Sequence, residues 1–444
     1  MSETVDKMYS VANGIAKGKA GQDFVYNMEE AVFYIYGNGY WKPLDDLEIM
    51  RIILDIYTGA NGTVDITRYT STRRKQILEN LKVLIFKRLA EFNKNGYLNF
   101  DLGEFDPVTL MMHDHKKENY STLRVPYPYH ASAGCDLWLK TLGEIFEGDK
   151  EKINILQEFF GYCLTRDTRK EKALLLLGES RTGKSTILEI LADVVGRHNC
   201  SFVSLDYIRN QQYSPMLMNK LVNIDTDASN NAENFEREFR TITSGEPLTC
   251  NQKFIKTFDF KPYCKLIMAA NVFPRITDHS SAFYNRLILL PCDRVFSGDE
   301  QNIRLKDELT KELSGIFNWA VAGLKRLNER GKFDNKEFMS EAIRELREES
   351  NPTEIFFREN LEVDKINKVF IEKGELYQKY RQWSLDNNQY VLSAVKFGKA
   401  VFTKYNRYTE KNSMVEGGVR VWRNLKYKDN GVMAQTQEAI GWQD

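Results

Sequence analysis

The stretch GESRTGKST at residues 178–186 carries residue types that can hold a nucleotide phosphate. Gly178, Gly183, Lys184 and Ser185 match the pattern G-x-x-x-x-G-K-[ST]. The glycines let backbone N–H groups curl around phosphates, the lysine supplies a point charge to the β- and γ-phosphates, and the serine hydroxyl suits Mg²⁺. The other loop residues expected to contact the phosphates are Glu179, Ser180, Arg181, Thr182 and Thr186.

Two aspartates follow a later apolar run, LVNIDTDAS at residues 221–229. A phosphate loop that hydrolyses its nucleotide needs an acid on a neighbouring strand to hold Mg²⁺ and to orient water. We assign Asp225 to the metal side, and the sequence leaves open whether Asp225 or Asp227 polarises the water. Without the phosphate loop, such a pair would more often be a turn or a helix cap.

A polar amide ends the next strand-like run, KLIMAAN, at Asn271. An amide in this place can reach the γ-phosphate and the attacking water. An isolated asparagine after a strand is usually a turn residue. Because this one follows a phosphate loop and an acid strand in order, the sequence favours the functional interpretation.

Short apolar runs between polar or helical segments must position these side chains. They predict a buried, mostly parallel sheet. The runs are Ala173–Leu177, Phe202–Ser204, Leu221–Ile224, Leu266–Ala270 and Leu287–Leu290. Residues 1–150 have mainly helical patterns, with one turn-rich segment, NGYLNFDLGEFDP. A charged helix stops at Asn351-Pro352 and is typical of a linker. Two helical segments and a possible hairpin at Gly417-Gly418 then outline a winged helix.

The composition is that of an ordinary globular chain. Of 444 residues, 42% are hydrophobic and 28% charged, and the formal net charge is zero. The N-terminus MSETVDKMYS lacks the basic start and apolar core of a signal peptide. No apolar run approaches the roughly 18–20 residues of a membrane span. We therefore expect a cytoplasmic protein with no membrane partner.

The cysteines favour buried free thiols in a reducing compartment. Six are scattered along the chain with no C-x-x-C spacing. His113, His115 and Cys135 could in principle meet at a metal. Their context, MMHDHKKEN, is more typical of a polar turn, so no metal is predicted there.

The order of phosphate loop, acid strand and asparagine strand between residues 178 and 271 resembles that of superfamily 3 helicases. It is most similar to the helicase part of the phage and plasmid primase-helicase family, which is related to poxvirus primase-helicases. The likeness covers about residues 90–400 and includes FFGYCLTRD, FEREFRTITSGEPLT, GIFNWAVAGLKRL and ELYQKYRQWSLDN. NGYLNFDLGEFDP stands where the family has its helicase-associated N-terminal region.

The resemblance implies an α/β fold built on an AAA+ P-loop core with a mostly parallel sheet. A helical N-terminal domain would precede this core, and a C-terminal winged-helix domain would follow it. The expected domains are a collar at 1–148, the ATPase at 149–335, a helical linker at 336–360 and the winged helix at 361–444.

Two departures from the family pattern matter. Family loops often carry a glycine and an asparagine in the variable positions, where this chain has Ser180, Arg181 and Thr182. Arg181 therefore has no assigned role. The primase domain that often precedes the helicase region is absent from this sequence, so we expect a separate primase to supply priming.

The resemblance also implies a ring, most simply a hexamer, with ATP bound between subunits. Such a site needs a cation from the neighbouring subunit, and arginine fingers contribute about 10³–10⁵ in rate. Arg286, just before another buried strand, is the candidate, and Arg275 is the reserve. Either arginine could instead form a surface salt bridge.

The segment LTCNQKFIKTFDFKP alternates aromatic residues with lysines and suits a β-hairpin. Superfamily 3 rings place such a hairpin in the central pore, where lysines would contact phosphates and an aromatic would press on sugar or base. The resemblance therefore assigns Lys253, Phe254 and Lys256 to single-stranded DNA. As an unplaced segment it would be an exposed edge hairpin protected by lysines.

The C-terminal region carries the local charge. Between Val391 and Lys428 nine lysines or arginines stand against two glutamates, a net charge of +7. A basic face on a winged helix suits duplex DNA, and Arg420 and Arg423 are the candidate contacts. A solvated lysine-rich surface is the plain alternative.

Together these features predict an ATP-dependent, ring-forming DNA helicase that starts replication of a mobile genetic element such as a phage, plasmid or staphylococcal pathogenicity island. The resemblance implies 3′ to 5′ travel. The basic C-terminal domain is a candidate for origin recognition, and host replication proteins are expected partners. The alternative is an origin-binding initiator whose ATPase controls only assembly. A small-molecule kinase is a further rival, disfavoured by the asparagine strand and the basic C-terminal region.

Overall fold

A computed structural model describes residues 2–17, 21–58, 70–228, 235–251, 257–272, 281–300, 302–334, 337–350, 352–367, 369–387, 389–410, 413–415 and 418–428. The chain divides into two compact units, Met1–Met339 and Ser340–Asp444. Within the described ranges, none of the helices combines the length and apolar composition that a membrane crossing requires.

The first part of unit 1 mixes helices with antiparallel strands. In chain order its elements are α1 (Ser2–Ala16), β1 (Phe24–Asn27), β2 (Val32–Gly37), β3 (Tyr40–Leu44), α2 (Asp46–Thr58), α3 (Ser71–Ile85), β4 (Phe86–Lys87), β5 (Leu98–Phe100), β6 (Gly103–Asp106) and β7 (Met111–His113). One sheet has the order β3-β2-β1-β4 and the other β5-β6-β7.

The prediction of a helical N-terminal domain is therefore incomplete, because two antiparallel sheets accompany its helices. β1 and β2 have the sequences FVYN and VFYIYG, and their aromatic and β-branched residues favour strands. Tight turns close the hairpins because Ala31 and Asn38 adopt positive φ angles of 56° and 52°. Apolar runs this short fit either kind of element, and the hairpin turns decide in favour of strands.

The second part of unit 1 alternates strands and helices. Its elements are α4 (Asp136–Ile145), α5 (Lys150–Cys163), β8 (Ala173–Leu177), α6 (Lys184–Val195), β9 (Cys200–Ser201), β10 (Val222–Asp225), α7 (Glu236–Ser244), β11 (Leu248–Cys250), β12 (Phe258–Phe260), β13 (Lys265–Ala270), α8 (Ser281–Tyr284), β14 (Leu287–Pro291), α9 (Leu305–Leu309) and α10 (Leu313–Arg330).

Five of these strands form one sheet in the order β14-β8-β13-β10-β9, with every neighbouring pair parallel. The predicted parallel sheet is thus confirmed. The second predicted run is displaced, since the strand is Cys200–Ser201 instead of residues 202–204. Phe202 is exposed, and the N–H of Val203 donates to the Asn223 side chain at 2.9 Å instead of to a neighbouring strand.

Helices α5 and α10 pack closely because glycines lie at their contact. A Cβ on Gly161 would lie 2.5 Å from the carbonyl oxygen of Ala320, and one on Gly323 would lie 2.3 Å from that of Gln157. These helices contain FFGYC and GIFNWAVAGLKRL, two of the segments that carry the family likeness. The glycines in those segments are therefore required by backbone-to-backbone packing.

Unit 2 is built around its own aromatic core. Helix α11 (Glu337–Ser350) spans the unit boundary, and the following elements are α12 (Pro352–Asn360), β15 (Leu361–Val363), β16 (Phe370–Glu372), α13 (Lys373–Asp386), α14 (Ala394–Tyr405), β17 (Val421–Arg423) and β18 (Leu425–Tyr427). β15 pairs antiparallel with β18, and β16 with β17. The rings of Tyr380 and Phe397 stack with centroids 4.2 Å apart. Phe356 of α12 is fully buried in the same core, so this part of the predicted linker packs with unit 2.

Candidate nucleotide-binding site

The phosphate loop connects the end of β8 to the start of α6. Gly183 caps the helix with φ +86°, and Arg181 also adopts a positive φ, +65°. A Cβ on Gly178 would lie 2.1 Å from the carbonyl oxygen of Cys292, which follows β14. The loop therefore needs glycine at this position because neighbouring backbone closes on it.

The ammonium of Lys184 lies inside this loop. Its Nζ donates to the carbonyl oxygens of Gly178 and Glu179 at 2.7 and 2.5 Å. It also contacts the hydroxyl oxygen of Thr182 at 3.2 Å. Burial lowers the pKa of Lys184 from its ordinary value. Backbone carbonyls thus hold a buried cation in the place where the sequence pattern expects a phosphate-binding lysine.

The two aspartates at the end of β10 have different environments, since Asp225 is the last residue of the strand and Asp227 follows it. The Oδ2 atom of Asp225 accepts the N–H of Leu205 at 2.9 Å and the hydroxyl of Ser204 at 3.3 Å, and Asp225 is buried. Burial raises the pKa of Asp225, and these hydrogen bonds oppose that rise. Asp227 is exposed, and its N–H lies 3.4 Å from Oδ1 of Asp225. Asp225 is therefore a fixed carboxylate, while Asp227 faces solvent.

Asn271 lies beside the phosphate loop. It directly follows β13, which pairs in parallel with both β8 and β10. Its Nδ2 atom lies 3.5 Å from the hydroxyl oxygen of Ser180 in the loop. Because the carboxyl ends of parallel strands meet at one edge of a sheet, the loop, the aspartates and the asparagine share that edge.

The donor atoms at this edge fit Mg²⁺. Ser185, in the first turn of α6, is exposed, and Asp225 and Asp227 supply carboxylate oxygens. No group of three or more His, Cys, Asp or Glu side chains suited to a metal occurs among the described residues. Mg²⁺ suits such a sparse oxygen set because one or two carboxylates, waters and substrate phosphates complete its coordination.

Arg286 lies at the opposite edge of the sheet. It precedes β14, and its carbonyl accepts the N–H of Ala173 at the start of β8 at 2.8 Å. Its guanidinium pairs with Glu171 at 2.7 Å and contacts the hydroxyl of Ser244 at 3.2 Å. Arg286 is thus held away from the phosphate loop of its own chain. The reserve candidate, Arg275, lies outside the described residues.

The predicted pore hairpin is described only at its base. β11 and β12 pair antiparallel, with Cys250 opposite Phe258. The candidate DNA contacts Lys253, Phe254 and Lys256 lie outside the described residues. In chain order this strand pair comes between β10 and β13, the two strands that carry the aspartates and Asn271.

The candidate duplex-DNA residues of unit 2 lie next to and in β17. Both Arg420 and Arg423 are exposed. The guanidinium of Arg423 donates to the Ser413 hydroxyl at 2.8 Å and to the Met414 carbonyl at 2.9 Å. Of the two arginines, Arg423 thus already has a structural role.

Residues that hold the site from a distance were not found by sequence reasoning. Ser204 and Leu205 fix Asp225 from the segment after β9, and Cys292 closes on the phosphate loop from the end of β14. No local motif marks them. The only available signal was their position just after predicted strands of the same sheet.

Comparisons with known proteins match two parts of the chain. Residues 14–147 match the family described as "D5 N terminal like". Residues 176–286 match a family described as a family of unknown function, DUF5906. Each covers less than half of the chain.

A curated relative, the "DNA Primase-polymerase" of Nitratiruptor phage NrS-1, is 20% identical over 269 residues, 58% of this chain. The chain spans only 37% of the length of that relative. A solved apo A-form structure of the NrS-1 C-terminal region has a TM-score of 0.52 at 14% identity, covering 93% of this chain and 98% of that one. A second apo structure of the same region has a TM-score of 0.50 at 12% identity and covers 94% and 98%. These likenesses show a shared fold.

Proposed function

We propose that this protein is an ATP-dependent DNA helicase of the superfamily 3, D5-like type that acts in the replication of a phage or related mobile element. The observation that carries the proposal is the meeting of Lys184, Asp225 and Asn271 at one edge of a parallel sheet. Hydrolysis of a nucleoside triphosphate uses a phosphate-binding cation, an acid and a polar group near the γ-phosphate, in this arrangement.

Each side chain has a separate task in hydrolysis. Lys184 balances charge on the β- and γ-phosphates, and the loop N–H groups bind their oxygens. Asp227 and Asn271 orient the attacking water. When bound, Mg²⁺ would lie against Ser185 and Asp225 and neutralise charge that develops on the phosphates. The anchoring of Asp225 by Leu205 keeps that carboxylate in place between turnovers.

DNA movement follows from the position of the β11–β12 pair in the chain. The β11–β12 pair lies between β10, which carries Asp225, and β13, which precedes Asn271, and α7 lies between β10 and β11. A change at the γ-phosphate would reach the hairpin through these segments. We place Lys253, Phe254 and Lys256 on the DNA strand in the pore of a hexameric ring, with 3′ to 5′ travel. Arg286 of the next subunit completes each ATP site.

The comparisons support a replication role. A match to the D5 N-terminal-like family and a relative named a primase-polymerase are both expected for a phage replication protein. A primase, supplied by this or another polypeptide, and host replication proteins are the partners that such a helicase needs.

A strand-displacement assay with Lys184→Ala tests the proposal. We expect wild-type protein with ATP and Mg²⁺ to separate a forked duplex with a 3′ single-stranded arm, and the variant to lose both ATP turnover and unwinding. Lys140→Ala is the control, since it removes an exposed lysine of α4 that lies outside the phosphate loop. Unwinding that survives the loss of Lys184 would refute the helicase assignment.

The alternative is an initiator whose ATPase controls only assembly on DNA, and the basic α14 region of unit 2 favours it as the second candidate. Lys253→Ala combined with Lys256→Ala separates the two functions. A helicase should lose unwinding and keep ATP binding and duplex binding. Normal unwinding by the double variant would remove the pore assignment.

A further inference from the structure

A basic cleft lies in unit 1 at the edge of the sheet opposite the phosphate loop. Its volume is about 640 Å³. The turn after α5 forms one wall. In that turn the carbonyl of Thr165 accepts a hydrogen bond at 2.5 Å from the ammonium of Lys265, the first residue of β13. The other walls come from the loop around Lys94 and from Asn328 of α10. The cleft is therefore distinct from the candidate nucleotide site.

The loop that carries Lys94 is held rigidly by its neighbour Asn93. Asn93 is buried with φ +53°, and its side-chain oxygen accepts the N–H of Thr122 at 2.7 Å. Its amide nitrogen donates to Asn219 at 3.2 Å. Lys94 itself is exposed, and within the described residues no acidic group lies within ion-pair distance of it. A fixed loop thus presents a free ammonium to the cleft.

Arg166 places a second cation at the base of the cleft. Its guanidinium donates to the carbonyl of Asn93 and lies over the ring of Tyr263, 4.2 Å from the ring centroid. Its Nε is buried and has no hydrogen-bond partner among the described residues. A guanidinium already held by a carbonyl and a ring loses little entropy when it binds an anion.

Two further cations line the same wall. Arg169 has an 87% exposed side chain and pairs with Asp167 at 2.8 Å, and the ammonium of Lys170 donates to the Gly331 carbonyl at 2.6 Å. Among the described residues that line the cleft, Asp167 is the one acid, against the four cations Lys94, Arg166, Arg169 and Lys170. The cleft therefore carries a positive charge in a chain whose formal net charge is zero.

We propose that this cleft binds the phosphodiester backbone of the nucleic acid on which the protein acts. Its cations come from two chain segments that are far apart in the sequence, the loop around Lys94 and the turn at residues 166–170. Cations spread over two segments suit a row of phosphates better than one small anion. None of the described residues that line the cleft is aromatic, whereas protein partners are usually anchored by aromatic side chains and base-reading sites by stacking. Binding here is accordingly independent of base sequence. The proposal deepens the proposed DNA-dependent function by adding a contact outside the pore hairpin.

Charge reversal on the full-length protein tests the cleft. Lys94→Glu combined with Arg169→Glu should lower the affinity for fluorescent single-stranded or duplex oligonucleotides by about tenfold or more in anisotropy titrations. The slope of log affinity against log salt should fall by about two, since each lost phosphate contact removes about one unit. Comparing the single strand with the duplex shows which form the cleft holds. ATP turnover without DNA should stay at the wild-type rate.

The matched control is Lys140→Glu with Lys150→Glu, which makes the same charge change at exposed positions of α4 and α5 that do not line the cleft. Equal loss of affinity in both double variants would mean a general charge effect and overturn the proposal. So would unchanged DNA affinity in the cleft variant, or displacement of DNA from wild type by polyglutamate as effectively as by unlabelled DNA. If only the pore variant Lys253→Ala/Lys256→Ala loses DNA binding and the cleft variant keeps it, the cleft proposal is wrong and the helicase proposal stands. No DNA binding by wild type would overturn both.

Discussion

At the scale of single residues, Asp225 and Asp227 illustrate how environment separates two identical side chains. Both Asp225 oxygens accept backbone or hydroxyl donors, which fixes the carboxylate and keeps it close to the sheet edge. Asp227 lies two residues further along the chain and is exposed. A fixed carboxylate suits a metal-side role, and an exposed one has the freedom to approach water.

We expect Asp225→Asn and Asp227→Asn to affect different steps, the first nucleotide binding with Mg²⁺ and the second the rate of hydrolysis. Asp225→Asn should weaken Mg²⁺-dependent binding of a fluorescent ATP analogue and abolish turnover. Asp227→Asn should keep that binding and lower kcat by about 10²–10⁴-fold, the usual contribution of a general base. Nucleotide titrations with and without Mg²⁺, read beside kcat, make the comparison. The reverse pattern would exchange the two roles.

Lys265 is a buried cation whose contribution to stability depends on pH. It is fully buried, donates to the carbonyls of Thr165 and Tyr263, and lies over the ring of Tyr162. Desolvation lowers its pKa from 10.5 to about 8, while the nearby thiols of Cys163 and Cys264 and the carboxylate of Asp167 oppose that shift. The folded state therefore binds fewer protons than the unfolded state between these two values, so stability rises with pH there.

Lys265→Met should remove this pH dependence. The free energy of unfolding of wild type relative to the variant should increase by about 2–3 kcal/mol between about pH 7 and about pH 10, at about 1.4 kcal/mol per pKa unit. Differences in packing and hydrogen bonding between the uncharged lysine and the methionine shift the two stability curves by an amount that does not change with pH. Denaturant titrations at several pH values test this, and parallel pH profiles for the two proteins would contradict it.

At the scale of elements, α14 is the helix of unit 2 that we propose contacts DNA. Its sequence AVKFGKAVFTKY contains no acidic residue, and Phe397 and Val401 bury one face in the aromatic core. Lys396 and Lys399 lie on the exposed side, as does Val395, which is 71% exposed. An exposed cationic helix face with an apolar residue at its start suits the major groove of a duplex.

Lys396→Ala with Lys399→Ala should therefore weaken duplex binding and reduce its salt slope by about two. Lys404→Ala is the control, because Lys404 is on the same helix but pairs with Glu354 of α12. Arg420→Ala measures the strand contact that the sequence favours. Anisotropy titrations across salt concentrations would show which element dominates. An unchanged slope in the lysine variant would exclude α14.

The sequence predicts best those features that one local pattern determines. The sequence places Asn271 beside the phosphate loop because the loop motif and the strand ends are each contiguous in the chain, and the structure has Asn271 next to Ser180 of that loop. The anchoring of Asp225 by Ser204 joins residues about twenty positions apart, and the cleft joins Lys94 to Arg169, so neither leaves a local signal. The N-terminal sheet was missed because short aromatic runs fit a buried helix and a strand equally well.

At the scale of the whole molecule, the position of Arg286 means that, if it acts in a nucleotide site as we propose, that site belongs to another copy of the chain. It precedes β14, and its carbonyl binds the first residue of β8, whereas the phosphate loop follows the last residue of β8. At about 3.3 Å per residue, the strand alone separates the two by roughly 13 Å. A self-assembling ring in which each subunit supplies Arg286 to the next would bring them together.

Mixing two inactive variants tests this arrangement. Lys184→Ala and Arg286→Ala should each lower ATP turnover, the second by about 10³-fold or more if Arg286 acts as an arginine finger. In mixed rings, an interface that joins an intact Lys184 to an intact Arg286 is complete, so an equimolar mixture should regain part of the wild-type activity. The control is a mixture of Lys184→Ala with Asp225→Asn. Both of these defects lie in the subunit that holds the nucleotide, so no interface in the mixed rings combines an intact Lys184 with an intact Asp225. Failure of the first mixture to exceed the control would mean that Arg286 has only a structural role in its own subunit, through contacts such as those with Glu171 and Ser244.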